Sequence, residues 1–428
     1  MIPAKGKKIN MDTIFVQIAS YRDPQLLPTL QDMLNHADYP ENLRIGIAWQ
    51  HNIEDTWDNL NEYKNDTRFR IIDINYIDSK GVCWARNAVQ QLYQNETYTL
   101  QIDSHHRFVK GWDTLLINML KDLQSKGFAK PLITSYIPSF DPENDPESRV
   151  QSPWKMNFDR FIPEGAIFFL PANFDSFDDI SEPLLARFYS AHFAFSIGKF
   201  VMEVQHDPNL YFHGEEISIA VRAFTHGYDL FHPNKLICWH EYTRKGRKKQ
   251  WDDDKFWTVK NKNSHERNRK LFGMDGVLND INFGKYGFGS ERSLNDYEKY
   301  AGIQFKTRSI TQDVLDHKPP NMDNITLDSQ IFNKQLLNIF KHCIDINYNQ
   351  VPEKDYDFWA VIFKDDHNND MYRKDADATE ILRLKNDPDG YCKVWREFQT
   401  SKLPQKWIVW PHSKTKGWCE IITGDINV

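Results

Sequence analysis

Residues 13–19 (TIFVQIA) form an apolar, β-branched run that ends at the polar cluster Ser20, Tyr21, Arg22 and Asp23. Within 26–35, Leu27, Leu30 and Leu34 recur at helical spacing, and 43–50 is strand-like again. A chain that alternates between a period of two and a period of 3.6 has few ways to bury both surfaces. The commonest is a layered α/β domain with a largely parallel sheet. The alternation continues with a strand at 70–76, a helix at 83–93, a strand at 98–102, a helix at 112–124 and a strand at 132–136. A Pro-, Asp- and Glu-rich surface loop is expected at 142–154, strands at 166–170 and 192–197, and a helix at 214–227.

The pattern changes beyond residue 307. The polar stretch 307–326, with Lys318, Pro319 and Pro320, has the composition of a linker. After it, 356–363, 390–397 and 406–411 are short aromatic-rich strands, as in a small β domain such as a sandwich. The expected organisation is therefore an α/β domain over 1–307, a linker over 308–328 and a β-rich domain over 329–428. Trp359, Trp395, Trp407, Trp410 and Trp418 either fill the core of that last domain or supply ligand or oligomer contacts.

Charge excludes one class of function. With 53 Lys and Arg against 60 Asp and Glu, the net charge of −7 is opposite to that of a dedicated nucleic-acid binder. The apolar run at 166–172 is too short to span a bilayer, and 1–11 has basic residues but no apolar stretch of a secretory signal. The five cysteines are scattered, without a Cys-x-x-Cys pair, which fits a reducing compartment. The expectation is a cytoplasmic protein, compatible with peripheral association at the inner face of the membrane.

In an open α/β sheet, ligands gather at the carboxyl ends of strands. Three polar clusters fall there: 20–23, 80–87 and 103–106. Asp103 and His105, two residues apart at a strand end, place a carboxylate and an imidazole together, a donor pair suited to Mn²⁺ or a similar divalent ion. An isolated Asp-x-His is more often only a solvated turn. Here, however, the apolar segment 235–239 ends in His240, a third donor, and a basic run at 244–249 follows. Beside a metal, Arg244, Lys245, Arg247 and Lys248 would neutralise a diphosphate leaving group.

Four segments carry a resemblance to a known family. The SYRDP opening, DSHHRFVKGWD, GEEISIAVRAFTHGYDLFHP and FGSERSLNDYEKYAGIQF resemble the GlcNAc-transferases of glycosyltransferase family 60. These are relatives of the cytoplasmic enzyme that modifies hydroxyproline in the Skp adaptor of ubiquitin ligases. The resemblance runs from about Thr13 to Phe305. More distantly, the chain is similar to the polypeptide N-acetylgalactosaminyltransferases, which share the Asp-x-His motif.

The resemblance implies a GT-A fold, a Rossmann-like mixed sheet flanked by helices. It also implies a UDP-sugar donor (typically UDP-GlcNAc), Mn²⁺ or Mg²⁺, and retention of anomeric configuration. Asp103 and His105 match the metal motif, and His240 the late histidine ligand. Ser20, Tyr21, Arg22 and Asp23 fall where the fold holds the nucleotide, and Arg86 where a guanidinium reaches the donor. Glu215 or Glu216 is expected to hydrogen-bond sugar hydroxyls, with Asp207 and His213 as further candidates; at a helix start, either acid could equally be a plain dipole partner.

The leading expectation is a metal-dependent retaining hexosyltransferase that transfers GlcNAc to a hydroxyl on a glycan or a protein. A Skp-like protein and a surface polysaccharide under synthesis both remain open as acceptors, and a homo-oligomer is compatible with the sequence. The alternatives are a sugar-nucleotide hydrolase or pyrophosphorylase, and a carbohydrate-binding protein without catalysis.

Overall fold

A computed structural model describes residues 12–162, 164–174, 180–244, 246–386 and 390–426. The chain divides into two compact units, Met1–Thr307 with Asp316–Asp328, and Arg308–Leu315 with Ser329–Val428. The stretch expected as a linker, 308–328, is thus shared between the units. Its Pro-rich part belongs to the first, where Lys299 Nζ donates to the Leu327 carbonyl.

The first unit opens with β1 (Ile14–Tyr21), α1 (Leu26–His36), β2 (Leu43–His51), β3 (Phe69–Asn75), α2 (Val82–Gln90) and β4 (Tyr98–Ile102). Next come β5 (His106–Phe108), α3 (Trp112–Ser125), β6 (Pro131–Thr134), and the hairpin β7 (Trp154–Ile162) and β8 (Ala166–Asn173). There follow β9 (Leu184–Leu185), β10 (Phe193–Ile197), α4 (Phe200–Glu203), α5 (Glu215–Thr225), β11 (Asp229–His232) and β12 (Cys238–His240). The last elements are α6 (Gln250–Asp253), α7 (Trp257–Phe272) and α8 (Leu294–Ala301).

Eight strands form one mixed sheet in the order β3-β2-β1-β4-β10-β6-β11-β9. β1 pairs in parallel with β2 and β4, whereas β10 runs antiparallel to both of its neighbours. Strands of a parallel sheet covered on both faces read as continuous apolar runs, and β1 does. Its Ile14, Val16 and Ile18 point to one face and pack with Leu30 and Met33 of α1 and Leu116 and Leu120 of α3. Phe15 points to the other face, against Ala85 and Val89 of α2. This is the α/β architecture expected from the alternation, and it sets the carboxyl ends of β1 and β4 side by side.

The hairpin β7–β8 differs from expectation at its start. Residues 142–154 do form a surface segment, but the chain then enters a nine-residue strand whose buried Met156 and Phe158 alternate with more exposed neighbours. Charged residues on the outer face of β7 mask that alternation in the sequence.

In the second unit, Asn338–Asn347 pairs antiparallel with Tyr391–Thr400, and a second sheet is centred on Tyr356–Lys364 and Lys406–Ser413. Phe340, Trp359, Phe363 and Val394 share a core between the sheets. Tyr391–Thr400 alternates buried and exposed residues, as a sheet with one wet face must. Of the five tryptophans, Trp359 alone is fully buried, while Trp395 and Trp418 are exposed. Among the described residues, no helix is long and apolar enough to cross a membrane.

Candidate active site

β5 pairs antiparallel with β12, and His106 lies opposite His240. That register brings the end of β12 to the loop after β4, and with it a third donor to Asp103 and His105. Asp103 Oδ2 lies 3.7 Å from His105 Nε2 and 3.5 Å from His240 Nε2. One ligand atom from each residue falls within 4.8 Å of the others. The other carboxylate oxygen, Oδ1, accepts a 2.8 Å hydrogen bond from Arg86 Nη2.

Arg86 is buried, and its Nη1 is 3.6 Å from Glu215 Oε1. Two glycines make this approach possible. Gly81, at φ +116°, turns the chain into α2, and a Cβ there would strike the Tyr211 carbonyl oxygen at 2.7 Å. Gly214, at φ +99°, opens α5 directly before Glu215, and a Cβ there would clash with Asn268 Nδ2.

The donor set fits a divalent cation. His240 is buried, and neither ring nitrogen has a hydrogen-bond partner, a state that costs roughly 1–3 kcal/mol per group unless something else satisfies it. Burial holds its imidazole well below the usual histidine range, so it is neutral, as a ligand must be. Burial alone would raise the Asp103 carboxyl, but the groups around it, the Arg86 guanidinium foremost, outweigh it and keep it ionised. One carboxylate oxygen with two imidazoles suits Mn²⁺ better than the oxygen-seeking Mg²⁺.

Asp23 organises the back of this triad. It is buried, and its Oδ2 lies 2.7 Å from His105 Nδ1, 2.7 Å from Ser104 Oγ and 2.9 Å from Arg247 Nη1. Burial works against its charge, but His105 and Arg247 overcome that and bring the carboxyl down to about 2. Asp23 Oδ2 and Arg247 Nη1 both meet His105 at Nδ1, which leaves Nε2 free towards Asp103.

Glu215 and Glu216 both line the cavity above the triad, which has a volume of about 630 Å³. Glu216 accepts from the Tyr136 hydroxyl and the Ala191 N–H, both at 3.0 Å. Burial pushes both carboxyls upward, and for Glu215 the adjacent Glu216 adds to it. Each therefore keeps its proton to higher pH than a free carboxyl does, and a protonated carboxyl can donate as well as accept hydrogen bonds.

The remaining expected residues divide. Tyr21 and Arg244 line the cavity, and Arg244 lies over the Phe212 and Trp251 rings at 5.8 and 5.5 Å. The Ser20 side chain is fully buried and not on the cavity wall. Arg22 is turned aside: it bonds Asp55 at 2.7 Å and Asp253 at 3.0 Å, so it pins α6 to the end of β1. Asp207 is held by Arg267 at 2.6 Å, and His213 lies on the wall. Lys245 lies outside the described residues.

Sequence reasoning missed Tyr136, His192 and Tyr242. The His192 ring stacks on His240 at 4.3 Å and 22°, with Tyr136 on its other side at 5.1 Å. Tyr136 follows the end of β6, so the strand-end rule that found Asp103 would have found it too.

The glycosyltransferase family described as "Glycosyltransferase (GlcNAc)" matches residues 13–67 and 58–307, well over half of the chain and all of the cavity. The chain belongs to this family. It is a glycosyltransferase. No curated protein matches the chain. Solved structures similar to this glycosyltransferase include GalNAc-T7 with UDP, GalNAc and Mn²⁺, at 12% identity, covering 98% of this chain and 72% of that one, with a TM-score of 0.47. S. aureus TarS 1-349 is similar at 12% identity, covering 61% and 74%, with a TM-score of 0.34. The mannosyltransferase PcManGT of Pyrobaculum calidifontis, in complex with GDP-Man and Mn²⁺, is similar at 11% identity, covering 54% and 58%, with a TM-score of 0.35.

Proposed function

We propose that this glycosyltransferase is metal-dependent, takes UDP-GlcNAc as donor, and transfers the sugar with retention to a hydroxyl acceptor. The observation that carries the reading is the meeting of Asp103, His105 and the partnerless His240 on one cavity wall beside Arg244. A divalent cation held by these three would supply a Lewis acid for the diphosphate oxygens. Arg244 and Lys248, on the same wall, add positive charge for the departing diphosphate. Arg86 holds Asp103 ionised and oriented, and Glu215 and Glu216 face the space a sugar would fill. The GlcNAc choice rests on the family description. The second unit, with its exposed Trp395 and Trp418, fits acceptor binding or oligomerisation.

Calorimetric titration of UDP-GlcNAc with Mn²⁺ present, followed by NMR of the product's anomeric configuration, tests this reading. Metal-dependent binding and an α-linked product support it. Binding without transfer, and release of free GlcNAc with every acceptor supplied, would instead favour a sugar-nucleotide hydrolase.

A further inference from the structure

A second cavity of about 550 Å³ lies in the first unit, between the turn that follows β7 and one face of α7. Trp257, Asn261, His265 and Arg269 line it at four-residue intervals, with Glu164 opposite. From Trp257 to Arg269 the helix rises about 18 Å, the length of about three linked sugar rings and far more than one small molecule.

The groups on this wall select among ligand classes. Glu164 and Glu266 balance Lys262 and Arg269, so the wall carries no excess of either sign to select a polyanionic or a polycationic chain. A helix face offers no free backbone edge, so an extended peptide could not add as a strand. Trp257 and Val277 are the main apolar surfaces, too few for an amphipathic helix to bury its face. What is left is a half-exposed indole plate followed by planar amide, carboxylate and guanidinium groups, which suit vicinal hydroxyls. The imidazole on the same wall is unsatisfied: His265 is 5% exposed and its Nε2 has no hydrogen-bond partner.

The cavity adjoins the active site. The β7–β8 hairpin contributes to both, Glu164 to this one and Phe168 to the other. His213 of the active-site cavity and His265 of this one are near-parallel, with ring centres 6.4 Å apart.

We infer that this second cavity is a saccharide-binding subsite and that the acceptor is a neutral glycan, held along α7 with one end directed to the active site. The inference rests on the active-site cavity being where sugar is transferred. The test is binding of the full chain to a printed array of neutral oligosaccharides, with UDP and Mn²⁺ present, comparing wild type with Trp257→Ala and Asn261→Ala. Both side chains reach solvent, so the fold does not depend on them. Wild type should bind oligosaccharides of about three sugars or more, and loss of the indole plate should weaken this about tenfold. UDP affinity, measured in parallel, should not change in either variant. No glycan bound by wild type, or equal binding by both variants, overturns the inference. Loss of UDP binding by wild type would strike the active-site reading instead, and leaves the array result to decide this one.

Discussion

His105 Nδ1 lies 2.7 Å from Asp23 Oδ2, so the carboxylate that follows β1 decides which nitrogen of the imidazole faces Asp103. Asp23→Asn should keep the fold and lower Mn²⁺ affinity by roughly tenfold to a hundredfold, as loss of a ligand-orienting partner does elsewhere. Titration of free Mn²⁺ by electron paramagnetic resonance reads this directly. The same variant should lose part of the acid limb of stability. The carboxyl sits at about 2 when folded and roughly 3.9 when unfolded, so its contribution is present above that higher value and fades as pH falls through the lower.

The basic run after β12 splits into two roles. Arg247 is buried against Asp23 at 2.9 Å and Glu241 at 2.8 Å. Arg247→Ala takes the guanidinium away from Glu241 and leaves Asp23 to His105 and Ser104, and should show as a lower denaturation midpoint. Arg244→Ala breaks no ion pair with a described residue; it should leave stability within about 1 kcal/mol and weaken UDP binding, with less salt dependence in what is left.

That split marks the limit of what the sequence carries. Asp103 and His105 were legible because a strand end puts close neighbours on one edge, and His240 because an apolar segment ended at it. Their meeting depends on the His106–His240 register, a long-range pairing that no local pattern reveals. Arg22 and Arg247 look alike as basic residues near a site, yet each is spent on a carboxylate far away in sequence, Asp55 and Asp23 respectively. The resemblance puts Arg86 at the donor, but only the packing of α2 on the sheet shows it buried against Asp103.

Glu298 gives a pH test away from the active site. It accepts the Phe305 N–H at 2.8 Å, and burial pushes its carboxyl up to about 7. A folded value above the unfolded one of roughly 4.3 means stability is full below that value and is lost as pH rises through the folded one. Glu298→Gln keeps the acceptor and removes the charge. Between about pH 5 and about pH 8, its stability relative to wild type should therefore gain roughly 2–3 kcal/mol, measured by urea denaturation.

Truncation tests the division of the chain. Ending after Thr307 removes residues 316–328, which belong to the first unit and satisfy Lys299 through the Leu327 carbonyl. A chain ending after Asp328 should therefore melt several degrees higher than one ending after Thr307. Equal melting would show that 316–328 contributes nothing to the first unit.

The most direct test of the metal-centred reading is UDP release from UDP-GlcNAc by wild type and by His240→Ala, each with Mn²⁺ and with chelator. Wild type should turn over only with Mn²⁺, and His240→Ala, correctly folded, should stay at background in both. Turnover by wild type in chelator, or full Mn²⁺-dependent turnover by His240→Ala, would contradict the assignment of Asp103, His105 and His240 as the metal centre of this glycosyltransferase.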